Sequence, residues 1–265
     1  MPRLRRSLNN MAKKIAVSLR KGGSGKTTTA VNLATALHKK GKRTLLVDLD
    51  PQANATISVG IDPLKVNKHI NTLFTDINAN INEAILKTSF DLALLPSHPD
   101  LAQTEAGMRA TQIGLLKGLL DPIDGLFDYI VIDTPPAESY LTVNAMAYVD
   151  EVIIPLQTHY LAMRGLQDAL QEIDQVRQGL NPKLKVAGIL PTMVNNRTNI
   201  AKTVLDAVSE AYDKYLYPFQ VDFSIKHAEA TLAGLPIVLY DPTHQGSLVY
   251  MKLADSIIKG GENGK

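Results

Sequence analysis

Short runs of aliphatic and β-branched residues alternate along the chain with longer stretches in which apolar residues return every three or four positions. The short runs predict strands at Ile15–Leu19, Thr44–Val47, Leu92–Leu95, Tyr129–Ile132, Glu151–Pro155 and Val186–Leu190. The longer stretches predict helices over Thr28–Lys39, Leu101–Leu119, Ser139–Tyr148, Met163–Gln178, Ile200–Tyr215 and Gln245–Lys259. Such alternation is the pattern of βαβ units, which build a parallel sheet. Several strands are almost continuously apolar, as they must be when helices cover both faces of the sheet. No internal repeat, low-complexity tract or long Pro/Gly linker divides the chain. A single α/β domain is therefore expected, with a doubly wound, mostly parallel sheet flanked by helices. It would occupy residues 14–260, between a basic, disordered arm (1–13) and a flexible tail (261–265).

In such sheets ligands bind outside the carboxyl ends of the strands, and the chemistry-bearing residues fall there. After the first strand comes Arg20-Lys-Gly-Gly-Ser-Gly-Lys-Thr-Thr-Thr29, running into a helix. Gly22, Gly23 and Gly25, with Ser24 between the last two, are expected to take positive φ, turning backbone N–H groups inward to form a nest for an anion. The positive end of the following helix adds to that field. Lys26 is placed to reach β- and γ-phosphates, the Thr27 hydroxyl to ligate Mg2+, and Thr28 to contact the α-phosphate. The general phosphate-loop pattern has a glycine where Arg20 stands, so the match is to a variant, K-G-G-x-G-K-[ST]-[ST]. These residues predict a single-domain P-loop NTPase.

The second strand ends in Asp48-Leu-Asp50-Pro-Gln. Two carboxylates beside phosphates are tolerable only if Mg2+ and a nucleophilic water offset their repulsion. Asp48 would accept from a metal-bound water and Asp50 would orient the attacking one; the competing reading of Asp50 is an Asp-Pro turn. A further apolar strand ends in Asp133-Thr-Pro-Pro. Asp133 would stand behind the Mg2+ water shell, and the two prolines stiffen a turn able to pass on a movement at the γ-phosphate.

Together KGGSGKTTTAVNLA, LLVDLDPQANAT, YIVIDTPP, PTMVNNRTN and GLPIVLYDP resemble the deviant-Walker ATPases of the ParA/MinD type, most closely the ParA (Soj-like) partitioning group, from about Lys14 to Ile258. The resemblance implies ATP and Mg2+ as cofactors and a homodimer with ATP sandwiched between its subunits. Lys21 then matches the signature lysine that crosses to the phosphates of the other subunit, an arginine finger delivered in trans. It implies that Thr192, Met193, Asp241 and Pro242 lie in segments holding the adenine and ribose. It places Arg197 and Lys226 where the group carries basic residues for sequence-neutral DNA binding. Lys226 departs from the arginine expected there; it can neutralise a phosphate, without bidentate geometry. A cargo-bound ParB-like or other adaptor would stimulate slow hydrolysis, and the protein would be cytoplasmic and nucleoid-associated.

Composition limits the alternatives. The 265 residues are 45% apolar and 20% charged, as in soluble globular proteins, and the net charge of +2 does not by itself imply a polyanionic partner. There is no cysteine, which excludes disulfides, cysteine-ligated zinc and the cluster chemistry of nitrogenase-reductase-like relatives, and suits a reducing cytoplasm. No apolar run approaches the roughly 18–20 residues of a membrane span, and the basic MPRLRRSLNN opening lacks the apolar core of a secretory signal. The alternative is a MinD-like membrane switch, whose last helix dips into lipid. Here Leu248, Val249, Met251, Leu253, Ala254, Ile257 and Ile258 read as core packing, so no membrane partner is expected.

Overall fold

The computed structural model describes residues 11–136 and 138–260; most of the basic arm and the 261–265 tail lie outside them. The strands are β1 (Lys13–Val17), β2 (Thr44–Asp48), β3 (Leu86–Lys87), β4 (Ala93–Leu95), β5 (Tyr129–Asp133), β6 (Glu151–Gln157) and β7 (Lys185–Thr192). They form one sheet in the order β3-β4-β2-β5-β1-β6-β7, parallel except for the β3–β4 pair at the edge. The helices, in chain order, are α1 (Lys26–Lys39), α2 (Asn54–Ser58), α3 (Ile70–Thr75), α4 (Ile81–Ala84), α5 (Leu101–Gly107), α6 (Leu115–Leu120), α7 (Tyr140–Tyr148), α8 (Ala162–Gly179), α9 (Asn199–Tyr212), α10 (Lys226–Leu232), α11 (Ile237–Tyr240) and α12 (Gln245–Ile258).

Alternate strand residues point to opposite faces, and each face has its own core. Ile15, Val17, Leu46, Val131 and Ile153 pack with α1, α11 and α12 on one side. Ala16, Leu45, Val47, Ile130, Ile132, Val152 and Ile154 pack with α3, α6, α7, α8 and α9 on the other. All these strand residues are fully buried, and each large aliphatic among them contributes about 1.5–3 kcal/mol relative to exposure. The apolar stripe of α12 packs into this core through Val249, Leu253, Ala254 and Ile257, with Met251 and Ile258 against them, whereas Leu248 departs from the expectation and is exposed. Among the described residues no helix is long and apolar enough to cross a membrane.

The structure departs from the predicted elements in three places. β1 begins at Lys13, and Ala12 is buried with its N–H on Asp124 Oδ1 at 2.7 Å, so the domain starts before residue 14. The helix predicted over Leu101–Leu119 is broken. α5 stops at Gly107, and Gly114, at φ +108°, starts α6 in a left-handed conformation that costs glycine nothing. The edge strand β3 and the short helices α2–α4, α10 and α11 are too brief to give a readable period.

Candidate nucleotide site

Parallel pairing in register brings the strand ends level. Val17 lies beside Asp133, and Asp133 beside Asp48, so the loops after β1, β2 and β5 leave the sheet together. The glycine-rich loop turns through Gly23 (φ +70°) and Gly25 (φ +86°), the latter starting α1. Gly22 corrects the expectation of three left-handed glycines, because it is not among the residues with positive φ. It is exposed and borders the cavity, and a Cβ there would meet only Pro136 Cβ at 3.9 Å, an ordinary contact. The turn of the loop thus rests on Gly23 and Gly25, while Gly22 leaves a bare stretch of backbone facing the Pro136 turn. Arg20 likewise lies outside the positive-φ set, which explains why glycine is dispensable there. Its side chain instead ties the loop down, with Nε on buried Glu172 of α8 and Nη1 on Glu138, each at 3.0 Å.

The two lysines of the loop are held differently. Lys26 is buried, and its ammonium donates to the Lys21 carbonyl at 2.9 Å, which also accepts from Ser24 Oγ at 3.2 Å. Burial pulls the Lys26 pKa down, against the opposing pull of Asp133 and Asp50. Lys21 is exposed, and its ammonium rests against His159 Nε2 in the loop after β6. Burial, and then the charge of Lys21, lower the pKa of that imidazole. The ring accepts from the ammonium but brings no countercharge to it. Glu138 and Glu172 are engaged by Arg20 instead.

The three aspartates form a graded set. Asp133 is fully buried, and neither carboxylate oxygen has a hydrogen-bond partner among the described residues. Thr27 faces it and favours the charged form, but outside good hydrogen-bonding geometry. Burial, then the charge of Asp48, raise the Asp133 pKa well above the carboxylate range. Unmet acceptors in that position suit a hydrated divalent cation beside Thr27. Asp48 is also fully buried, but it accepts from Thr56 N (2.8 Å), Thr56 Oγ1 (2.7 Å) and Asp50 N (3.2 Å). Burial pushes it up to about 6 against those bonds. Asp48 therefore fits a role behind the metal's water shell, organising the loop that carries Asp50. Asp50 lines the open cavity, and its Oδ1 accepts from Gln52 N at 2.9 Å. Thr56→Val is expected to leave a buried acceptor short of a partner and to cost about 1–3 kcal/mol; urea unfolding checks this.

The loop and Asp50 line a cavity of about 360 Å3, together with Gln52, Asn54 and Pro136. Gly25, Thr28 and Met193 also border a second cavity of about 160 Å3, completed by Thr192, residues 221–224, His227 and Tyr250. Thr192 Oγ1 donates to the Ser24 carbonyl at 2.8 Å, and Met193 takes φ +50°, which fixes β7's end against the phosphate loop. Asp241 and Pro242 do not line either cavity. The Asp241 carboxylate accepts from Thr243 and from His244 N, opening α12 rather than facing a ligand. Of the four residues the resemblance implies, Thr192 and Met193 line the second cavity, and residues 221–224 form much of its wall. Arg197 is exposed in a turn after β7. Lys226 is less free than expected, since it pairs with Glu229 at 2.8 Å and lies over the Tyr240 ring. A larger apolar groove of about 580 Å3, between residues 73–79 and 111–119, shares no lining residue with these two cavities and contains none of the motifs.

A sheet of this order with a glycine-rich loop, three aspartates and a lysine at each end of the loop defines a phosphate-loop NTPase. A family model described as an AAA domain matches residues 12–186. The chain is 37% identical over 254 residues to the sporulation initiation inhibitor protein Soj of Bacillus subtilis (strain 168), covering 95% of this chain and all of that one. It is 40% identical over 250 residues to the chromosome partitioning protein ParA of Myxococcus xanthus (strain DK1622), covering 92% and 87% respectively. Among solved structures it superposes with a TM-score of 0.83, at 34% identity and over 96% of this chain and 97% of the other, on cobyrinic acid a,c-diamide synthase from Mycobacterium smegmatis with bound ATP analog and magnesium. The chain belongs to the ParA/Soj family of AAA-domain ATPases.

Proposed function

We propose that this ATPase works as a nucleotide-gated dimer that binds DNA without sequence preference and positions cargo through partner-stimulated hydrolysis. The observation that carries the reading is the pair of loop lysines, one buried on its own loop and one exposed, its ammonium on an imidazole and on no carboxylate among the described residues. Lys26 serves the triphosphate of its own protomer. Lys21 leaves His159 and reaches the triphosphate of a second copy, supplying positive charge where it builds up on the transferring group. Two facing polyphosphates repel unless such cations cross between them, so nucleotide occupancy and association become one event.

When bound, magnesium would supply charge neutralisation to the triphosphate. Thr27 and Asp133 would hold its ligand shell, and Asp48 would keep the Asp50 loop in register with them. Asp50 positions the attacking water, and it is the only carboxylate among the described residues that line this cavity, which fits slow turnover awaiting an adaptor. Thr192 and Met193 close the base cavity. Asp133-Thr-Pro-Pro carries the state of the γ-phosphate outward, Arg20 linking the glycine-rich loop to Glu138, two residues beyond that segment.

Arg197 is the clearer DNA contact, with Lys226 contributing once Glu229 yields it. The deciding experiment is DNA co-sedimentation with ATP, ADP and no nucleotide. Retention with ATP alone is expected, and equal retention in all three would contradict the proposal. Arg197→Ala should weaken retention on all sequences alike and reduce the slope of log affinity against log salt by about 1. A small-molecule ligase, suggested by the diamide synthase likeness, would instead require an acceptor for ATP turnover.

A further inference from the structure

The base cavity contains a hydroxyl whose chemistry is fixed by its neighbours. The Gly246 N–H donates to His244 Nδ1 at 3.0 Å, so that nitrogen carries the lone pair and the neutral ring has its proton on Nε2. Nε2 lies 3.1 Å from Ser224 Oγ and therefore donates to it. The Lys226 N–H donates to the same oxygen at 3.2 Å. Both lone pairs of Ser224 are thereby occupied. Its remaining capacity is one proton, for which no protein acceptor is present among the described residues, and Ser224 lines the cavity.

Two further contacts hold this relay. Asp241 Oδ1 accepts from His244 N at 3.1 Å, and the Asp241 carbonyl accepts from Ser247 Oγ at 2.6 Å. The histidine is thus pinned at the start of α12 with its ring turned to Ser224. His227, which does line the cavity, makes no hydrogen bond through its ring nitrogens among the described residues. A Cβ built on Gly246 would meet its Cε1 and Nε2 at 2.9 Å, so that edge faces α12.

We propose that Ser224 is a specificity-determining residue of this site: its hydroxyl donates to an unprotonated ring nitrogen of the bound purine, and His244 is the positioning residue that keeps it a donor. Adenine has no carbonyl, so a group restricted to donating can be met on that base only by N1, N3 or N7. A hydroxyl free to rotate and accept would also bind the exocyclic amine, and would select less. The inference rests on reading this cavity as the base site of an ATPase, and it gives Asp241 a supporting role one layer behind the ligand.

The test measures binding of magnesium–ATP and of its 1-deaza, 3-deaza and 7-deaza analogues by calorimetry. One analogue should bind wild type about five- to tenfold more weakly than ATP. Ser224→Ala should lose the same factor for ATP and nothing more for that analogue, while Ser224→Thr restores it. His244→Ala should weaken ATP without changing which analogue is penalised. Magnesium–tripolyphosphate, which lacks the base, should bind wild type and Ser224→Ala equally, so that the loss is confined to the base and the phosphate loop is intact. Wild-type affinity for ATP in Ser224→Ala, or equal losses for all three analogues, overturns the proposal while leaving the ATPase reading intact. If wild type binds none of the nucleotides, the base-site reading itself fails.

Discussion

Replacing Lys21 by alanine is expected to abolish ATP-dependent dimerisation and to lower ATP turnover by about a thousandfold or more, the scale of a charge delivered in trans to a transferring phosphoryl group. The fold should be unaffected. Lys21 is exposed, its ammonium rests only on His159 among the described residues, and its structural service is performed by its carbonyl, which alanine retains. Surface changes of this kind usually shift stability by less than about 0.5 kcal/mol. Magnesium–ATP should still bind the monomer within a few-fold, because Lys26, Thr27 and the glycines are intact. Light scattering of the variant with ATP, beside a turnover assay, checks both parts. A variant that dimerises and hydrolyses like wild type would assign Lys21 to the surface.

Asp50→Ala should separate binding from chemistry in the opposite way. Asp50 is 6% exposed at the edge of the cavity and its pKa is raised by burial, with the Gln52 N–H and then Lys26 pulling it back down. A group placed to orient water there is worth about 10²–10⁴ in rate. Its loss should leave the nucleotide-bound dimer intact and fixed on DNA, since release requires hydrolysis. The side chain also accepts from Gln52 N, and losing that turn bond costs about 0.5–1.5 kcal/mol. Asp50→Asn, which can keep the bond, should be equally slow but more stable. Turnover near the wild-type rate in either variant would remove Asp50 from the mechanism.

The strand-end motifs are legible because their chemistry is local. A glycine-rich loop, DxD and D-T-P-P each declare themselves within a few residues, and the alternation of apolar runs places them at one edge of the sheet. A motif does not, however, say which of its glycines must turn left-handed: Gly23 and Gly25 do, and Gly22 does not. What is not legible depends on long-range contacts. Thr56, which holds Asp48 with two bonds, is eight residues on, in a five-residue helix without a readable period. Arg20 looks like a departure from the glycine pattern. Its partners Glu138 and Glu172 are more than a hundred residues away, and only the fold shows that it anchors the loop. His159 and the wall at residues 221–224 escape a sequence reading for the same reason. Lys226 is a different case. Glu229 follows at three positions along a helix, a spacing at which opposite charges meet, so its pairing can be read from KHAE. The break in the helix predicted over 101–119 falls at Gly107 and Gly114, but Gly118 lies within α6, so glycine alone does not mark it.

The most direct test is sedimentation of the Asp50→Ala protein at saturating magnesium–ATP, alone and combined with Lys21→Ala. A cation crossing between protomers predicts that the 28.9 kDa chain doubles in mass with ATP but not with ADP, and that the double variant stays monomeric. A single variant that remains monomeric with ATP, or a double variant that dimerises as well as the single one, would contradict the account.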